Sequence, residues 1–265
     1  MVAEEKLTLR LAGAIAASDP LHDEEAVTIA RTALIDFFAC VLGGAADRST
    51  KILIDTFTSG TQGAAGIVGH DLRTDAFTAA LINGHAGHVL DYDDVHGSVR
   101  GHPTVAIVPA LLAVAVEEGS TADAFIAAYI VGLETMARIG LSLGTRHYEN
   151  GFHATATLGP MGAAAAIAHL LKFDPQTTAV ALGLAATQSA GLRLQFNYDA
   201  KPLHAGLATR AGLTAARLAR SGFQGAPDFL ENSIGFYSAF AFGAEQPKRV
   251  LSGWGAPWQI VSPGL

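Results

Sequence analysis

The chain has 265 residues, of which half are hydrophobic and 15% are charged, and its formal net charge is −7. This composition predicts a globular protein with a large buried core. The single cysteine, Cys40, excludes an intramolecular disulfide and an iron–sulfur cluster held by several thiolates of this chain. Because the basic residues are scattered and the net charge is negative, we expect no nucleic-acid partner.

Two segments are candidates for a membrane span and a secretory signal. Residues 154–171 form the most membrane-like stretch, but Gly159, Pro160 and His169 interrupt it, as is typical of a helix buried in a bundle. We therefore expect no membrane association. The N-terminal sequence MVAEEKLTLRLAGAI has acidic residues near its start and no small-residue cleavage site after a long apolar run, so it does not resemble a secretory signal. A cytoplasmic protein is expected.

Helical periodicity runs through most of the chain. Residues 23–41 have acidic residues in the first turn and apolar residues at three-and-four spacing, and the segment ends at Gly43-Gly44, as a helix should. Further helices are predicted over residues 74–90, 103–118, 120–143, 153–171, 175–190 and 203–221. Only residues 63–69, GAAGIVG, predict a short strand or an extended connection. The predicted fold class is all-α, a bundle with small-residue helix contacts.

The densest group of polar side chains lies in residues 83–113, which read NGHAGHVLDYDDVHGSVRGHPTVAIVPALLA. The group comprises four histidines and three aspartates: His85, His88, His96, His102, Asp91, Asp93 and Asp94. Crowding these groups together lowers the stability of the fold unless they are paired, solvated or part of a functional site. We therefore expect a functional site in this segment. A solvated acidic loop between two helices is the simpler alternative.

Two later stretches add imidazoles and cations. The run RHYENGFHATATLG carries His153 at a predicted helix junction, and QSAGLRLQFNYDAKPLHAG carries Arg193, Lys201 and His204. Lys201 precedes Pro202 at a predicted helix start, where the N–H groups of the first turn are free to bind an anion. Together these residues predict an anion site, although Arg193 alone is as readily an ordinary surface or helix-end charge.

Four runs resemble the MmgE/PrpD superfamily, which includes 2-methylcitrate dehydratase, cis-aconitate decarboxylase and iminodisuccinate epimerase. They are AGHVLDYDDVHGSVRGHPTVAIVPALLAVAVE, GFHATATLGPMGAAAAIAHLL, LGLAATQSAGL and KPLHAGLATRAG. The resemblance spans nearly the whole chain. It implies a large helical domain, here residues 1–265, and in family members a smaller α/β lid toward the C-terminal part. The sequence ends about where that lid would begin, so we expect the helical domain alone, without the pocket tyrosine that family decarboxylases draw from the lid.

The resemblance also implies the catalytic residues. Asp91 matches the aspartate that lines the family's pocket, and His102 matches the histidine of its His-Pro motif. His153 matches the histidine of Gly-Phe-His, and Lys201 matches the lysine of Lys-x-Leu-His-Ala-Gly. We expect His102 and His153 to serve as base and acid, Asp91 to orient or tune a histidine, and Lys201 to neutralise a substrate carboxylate.

The substrate-binding residues are expected to be Lys201, Arg193, His204 and Val95. Several family members have threonine where this chain has Val95, so a hydroxyl is missing from a region expected to touch substrate. This departure bears on the choice of substrate more than on the fold.

The activity implied is that of a lyase on a small polycarboxylate: proton abstraction next to a carboxylate, followed by dehydration or decarboxylation. An isomerase is the alternative within the family, as a cofactor-independent epimerase of an iminodicarboxylate. No cofactor and no metal are expected, and the family implies a homodimer. A non-catalytic helical scaffold that dimerises or binds carboxylates stays open.

A metal site is the strongest alternative of another kind. Six residues offer hard and borderline ligands: His85, His88, Asp91, Asp93, Asp94 and His102. His85 and His88, three residues apart on a predicted helix, could face the same way.

Overall fold

Helices account for nearly all regular structure in residues 6–265, the part of the chain that this computed structural model describes, and the all-α prediction is confirmed. The N-terminal acidic residues Glu4 and Glu5 lie outside the described residues. The α-helices are α1 (Leu7–Ala17), α2 (Glu24–Gly44), α3 (Arg48–Phe57), α4 (Ala76–His88), α5 (Pro103–Glu118), α6 (Ala122–Leu143), α7 (Arg146–Glu149), α8 (Ala154–Leu170), α9 (Pro175–Ala186), α10 (Ala200–Arg220) and α11 (Phe236–Phe240).

Short elements complete the architecture. Strands β1 (Ala65–Gly66) and β2 (Arg73–Thr74) form an antiparallel pair, with Ala65 opposite Thr74. The predicted short strand over residues 63–69 is therefore confirmed in its middle two residues. Short helical turns cover Pro20–His22, Arg193–Gln195, Pro247–Val250 and Ile260–Gly264.

Side-chain caps decide where several helices begin. Asp23 accepts a hydrogen bond from the backbone N–H of Ala26 at the start of α2, as its sequence predicts. Asp75, and not Thr74, caps α4, accepting from Phe77 N at 2.9 Å, so this helix begins later than predicted. Helix α10 begins before Pro202 rather than at it, because proline is tolerated in a first turn that needs no N–H donor. Lys201 therefore lies inside the first turn of α10.

Glycine lets the helices that carry the polar residues approach closely. Helices α4 and α10 cross at Gly84 and Gly206, where a Cβ built on Gly84 would lie 2.8 Å from the Gly206 Cα. A Cβ on Gly206 would collide with the backbone oxygen of Leu81. The predicted small-residue helix contacts are thus present where α4, which ends at His88, meets α10.

Two helices of the described chain, α2 and α6, are long and apolar enough to cross a membrane by length and composition. In the most apolar window of α6, 83% of the residues are buried within the protein, against 33% in α2. A core helix of a globular protein passes the same test of composition, so this is weak evidence for a membrane. The expected absence of a membrane partner stays a prediction.

Candidate active site

The N-termini of three long helices meet at one cleft. His102 is the residue before α5, His153 is the residue before α8, and Lys201 is the second residue of α10. The backbone N–H of His102 donates to the Thr155 hydroxyl in the first turn of α8, at 2.9 Å, which ties α5 to α8. Helix N-termini carry unpaired N–H groups and a partial positive charge, so this junction favours an anion.

The cleft at this junction has a volume of about 340 Å³, a size suited to a small organic ligand. Its walls are Val95, Arg100, Gly101, His102, Tyr148, His153, Phe196 and Lys201. Cavities elsewhere in the described chain have similar or larger volumes, at about 350, 430, 570 and 660 Å³. Among the described residues, His70 is the one histidine that lines any of these four, in the 350 Å³ cavity, whereas two histidines and a lysine line the cleft. We therefore place the candidate site in the 340 Å³ cleft, because histidines and cations line it together.

A buried carboxylate joins two histidines behind the cleft. Asp93 accepts a hydrogen bond from His88 Nδ1 at 2.8 Å, and its other oxygen lies 3.3 Å from His102 Nδ1. The backbone oxygen of Asp93 is also 3.2 Å from that nitrogen. Because only oxygen acceptors surround His102 Nδ1, the proton belongs there, and Nε2 is left free toward the ligand. We call His88 and Asp93 the inner layer.

Asp94, the next residue, fixes the backbone of the same histidine. Its carboxylate accepts from the Thr104 backbone N–H at 3.3 Å and from the Thr104 hydroxyl. Thr104 lies in the first turn of α5, directly after His102 and Pro103. Burial raises the pKa of Asp94 to about 7. Adjacent aspartates thus hold the His102 side chain and the helix that it precedes.

The two cleft histidines are tuned in opposite directions. Burial alone would lower the pKa of His102, but the hydrogen bond to Asp93 and the charge of Asp93 outweigh burial, so this pKa is raised. Burial, with the neighbouring His88 and His204, lowers the pKa of His153 to about 2. Burial opposes ionisation of Asp93, yet hydrogen bonds from His102 and His88 lower its pKa to about 2. His102 is therefore the cleft's proton carrier near neutral pH, and His153 stays neutral.

The outer side of the cleft carries an ion pair. Lys201 Nζ donates to Asp91 Oδ1, and His102 Nε2 lies 3.7 Å from that same oxygen. Asp91 has a left-handed φ of 56°, and 56% of its side chain is exposed. Val95 stands nearby in the wall with 58% of its surface exposed. We call Asp91, Lys201 and Val95 the outer layer.

The structure brings the four predicted catalytic residues together, since His102, His153 and Lys201 share the cleft and Asp91 contacts two of them. His204 lies behind His153, with their Nδ1 atoms 3.1 Å apart. Arg193 is not part of the cleft wall. Its guanidinium lies 3.9 Å from the centroid of the Tyr148 ring and donates to the Tyr148 backbone oxygen at 3.0 Å.

Sequence reasoning assigned no role to Arg100, Tyr148 or Phe196, and it named Asp93 only as a candidate metal ligand. Asp93 lies in the motif, five residues after His88, but no spacing rule distinguishes it from Asp91 and Asp94. Tyr148 and Phe196 lie between polar residues with no periodic pattern, so no feature of the sequence predicted that they line the cleft. For Arg100, the signal was its place two residues before the His-Pro pair.

Four of the six candidate metal ligands lie close enough together to share one ion. The ligand atoms of His88, Asp91, Asp93 and His102 all lie within 4.8 Å of one another. His85 instead has its Nε2 2.7 Å from the Ser49 hydroxyl, and Asp94 is engaged by Thr104. The Lys201 ammonium already binds Asp91, and a divalent cation beside it would be repelled. A metal here requires that ion pair to break.

Comparison with known proteins agrees with this arrangement of motifs. A family model described as the MmgE/PrpD N-terminal domain matches residues 10–249. The chain belongs to this family. It is 30% identical over 253 residues to the cis-aconitate decarboxylase-like protein oryM of Aspergillus oryzae, covering 88% of this chain and 52% of that protein.

Further relatives in this family carry similar names. The chain is 31% identical over 247 residues to the cis-aconitate decarboxylase of Aspergillus terreus, covering 88% of this chain and 50% of the relative. It is 28% identical over 221 residues to the human cis-aconitate decarboxylase, covering 73% and 46%. The chain thus spans about half the length of the curated relatives that it matches.

Proposed function

We propose that this MmgE/PrpD domain carries the carboxylate-binding and proton-transfer site of a lyase acting on a small polycarboxylate. The observation that carries the proposal is the meeting of Lys201, His102 and His153 at one cleft formed by three helix N-termini. Three positive helix ends and an ammonium stabilise carboxylates, and a histidine with a raised pKa supplies a proton beside them. The names of the relatives favour decarboxylation.

The position of each residue in the cleft determines its role in the proposed reaction. Lys201 exchanges Asp91 for a substrate carboxylate, and the helix ends stabilise its charge. When carbon dioxide leaves, the C–C bond breaks and its electron pair remains on carbon, where the protonated His102 Nε2 can deliver a proton. In a dehydration, neutral His102 would instead take the proton from carbon, and the departing hydroxide would need a proton from a second group.

The neutral His153 suits hydrogen bonding to the substrate better than acid catalysis, because its pKa lies at about 2. His204 would then set which nitrogen of His153 carries the proton. The orienting role expected of Asp91 fits Asp93 better, since Asp93 binds His102 Nδ1 and Asp91 is half exposed.

Binding of a polycarboxylate is the direct test. Calorimetry with citrate should give a measurable affinity for the unaltered chain, and Lys201→Ala should weaken it about 10- to 100-fold, as expected for a charged hydrogen bond. Lys201→Arg is the matched control and should keep part of the affinity. Circular dichroism checks that both variants are folded. If citrate does not bind, or binds Lys201→Ala equally well, the proposal is wrong.

Turnover separates the remaining activities. Incubation with unsaturated, hydroxylated and amino-substituted di- and tricarboxylates, followed by product analysis, distinguishes decarboxylation, dehydration and epimerisation. We expect low rates from the 265-residue chain, because Asp91 and Val95 are more than half exposed and water enters the cleft. Binding without turnover of any substrate would favour the scaffold alternative.

We also propose that the chain forms a homodimer. Helix α2 is apolar but mostly unburied, and it exposes Ile35 and Leu42 at 72% and 58%. Apolar surface of this kind is typical of an interface between subunits. Light scattering at micromolar concentration should give a dimer mass, and charged substitutions at Ile35 and Leu42 should lower it. A monomeric unaltered chain contradicts this proposal.

A further inference from the structure

We infer that Arg100 is a specificity-determining residue that binds a second carboxylate of the substrate. This inference rests on the proposed function and goes beyond it, because it requires a ligand with at least two carboxylates. Arg100 lies in the wall of the cleft with Lys201, His102 and His153. No sequence motif assigned it a role.

A tight turn holds Arg100 in place. Its backbone N–H donates to the His96 oxygen at 2.8 Å, and His96 N donates to the Gly101 oxygen at 3.0 Å. Arg100 has a left-handed φ of 56°, which the turn imposes on a residue that has a side chain. His96 is itself anchored, since its Nε2 donates to the Gln259 backbone oxygen at 2.9 Å. The turn therefore holds the backbone of Arg100 in place.

The charge of Arg100 is not neutralised within residues 6–265. No carboxylate of the described chain forms an ion pair with it, and its side chain makes one hydrogen bond, from Nη1 to the Gly144 oxygen at 3.1 Å. A guanidinium has five N–H donors, so most of them remain for a ligand. Because Nη1 is anchored on a backbone carbonyl, the guanidinium is held without losing its charge.

The other two cations near the cleft differ in this respect. Lys201 is paired with Asp91, and Arg193 is stacked on Tyr148 outside the wall. A monocarboxylate can be held by Lys201 and the helix ends alone. A dicarboxylate or tricarboxylate brings more negative charge than Lys201 can neutralise. Arg100 is the cleft cation that can bind a second carboxylate, because a guanidinium donates two parallel hydrogen bonds to the two carboxylate oxygens.

The test compares ligands that differ in carboxylate number. Calorimetry with butyrate, succinate and tricarballylate is performed on the unaltered chain, Arg100→Gln and Arg100→Lys. Arg146→Gln is the matched control, because Arg146 also donates to a backbone oxygen, that of Phe242 at 2.8 Å, but does not line the cleft. We expect Arg100→Gln to weaken succinate and tricarballylate about 10-fold or more while butyrate is unchanged. Arg100→Lys should be intermediate, and Arg146→Gln should match the unaltered chain.

Each other outcome overturns the inference in a recognisable way. If Arg100→Gln binds succinate and tricarballylate as well as the unaltered chain does, Arg100 is not a carboxylate site, although the proposed function stands. If butyrate weakens by the same factor, Arg100 acts through the structure of the turn and does not set specificity. If the unaltered chain binds none of these acids, the proposed function fails together with the inference.

Discussion

The inner and outer layers of the site differ in how much water reaches them. In the inner layer the side chains of His88 and Asp93 are 0% and 2% exposed, whereas in the outer layer that of Asp91 is 56% exposed. A buried carboxylate can fix the tautomer and charge of a histidine, because water does not compete for its hydrogen bonds. In the outer ion pair Asp91 can turn to water, whereas Lys201, with 11% of its side chain exposed, needs a ligand carboxylate in its place. Inner-layer changes should therefore alter rate and pH dependence, and outer-layer changes should alter binding.

The largest effect is expected from Asp93→Asn. This change removes the charge that holds the pKa of His102 above its usual value, and the amide can force the wrong tautomer. We expect turnover to fall about 100-fold or more, as when an orienting aspartate becomes asparagine. Activity that needs protonated His102 is lost as the pH rises through the pKa of His102. Because Asp93→Asn lowers that pKa, the upper pH limit of activity should move to lower pH. Turnover against pH, with the His102 titration followed by NMR, measures both.

Asp91→Asn is the matched outer-layer change for that experiment. Since Asp91 is half exposed and Asp93 orients His102, we expect less than about 10-fold loss. The charge of Asp91 also raises the pKa of His102, but less than Asp93 does, so the pH limit should move less than with Asp93→Asn. A pH limit that moves with Asp91→Asn but stays in place with Asp93→Asn would reverse the roles of the two layers.

Packing beneath the inner layer is tested by Gly206→Ala. The added Cβ would collide with the Leu81 oxygen and push α10 away from α4, so we expect the free energy of unfolding to fall by about 2–4 kcal/mol. Gly13→Ala is the control, because nothing lies within 4 Å of its added Cβ in α1. That variant should gain up to about 1 kcal/mol from helix propensity. Denaturant titration measures both, and equal effects would contradict the close α4–α10 contact.

Stability should fall as the pH is lowered from about 6.5. Burial lowers the pKa of His85 and His147 to about 4 and of His153 to about 2, so the unfolded chain takes up protons that the folded chain does not. Asp94, whose pKa is raised to about 7, opposes this with one proton. These four groups give a net difference of about two protons, which predicts a loss of about 3 kcal/mol per pH unit near pH 5.5. Burial also lowers the pKa of His96, His169 and His204, which adds to the loss.

Denaturant titrations at pH 7, 6 and 5 measure this slope. His147→Gln should reduce it by about 1 kcal/mol per pH unit, because one buried imidazole is removed. A slope that His147→Gln leaves unchanged would show that this histidine takes up protons in the folded state.

The smallest effect is expected from Val95→Thr. Val95 is 58% exposed at the cleft wall, so a hydroxyl there gains one partly hydrated hydrogen bond to a ligand. We expect the affinity for hydroxylated polycarboxylates to rise about 2- to 5-fold, with little change for unsubstituted ones. Calorimetry with citrate and tricarballylate makes the comparison, and an equal change for both would exclude contact with the ligand's hydroxyl.

Much of the fold could be predicted from local pattern. Helix α2 was predicted over residues 23–41 from acidic residues behind Asp23 and a Gly-Gly end, and its start is confirmed. The helix spans Glu24–Gly44, so it includes both glycines and ends later than predicted. Helices α1 and α3 were not predicted. The predicted helix over residues 103–118 is one continuous helix despite Pro109, because the surrounding helices bury and support it.

For the site, the sequence alone determined which segments carry chemistry, because histidines and aspartates stand out in a chain with few charges. It also placed Lys201 and the histidines near helix starts, since capping and proline signals are local. Only the tertiary structure decided that Asp93 rather than Asp91 holds His102, that Arg193 stacks on Tyr148, and that Arg100 lines the cleft without a carboxylate partner among the described residues. The Arg193–Tyr148 contact joins residues 45 apart, and the Lys201–Asp91 ion pair joins residues 110 apart. Such hydrogen bonds and the burial around them exist only after distant helices have packed, as α4 and α10 do at Gly84 and Gly206.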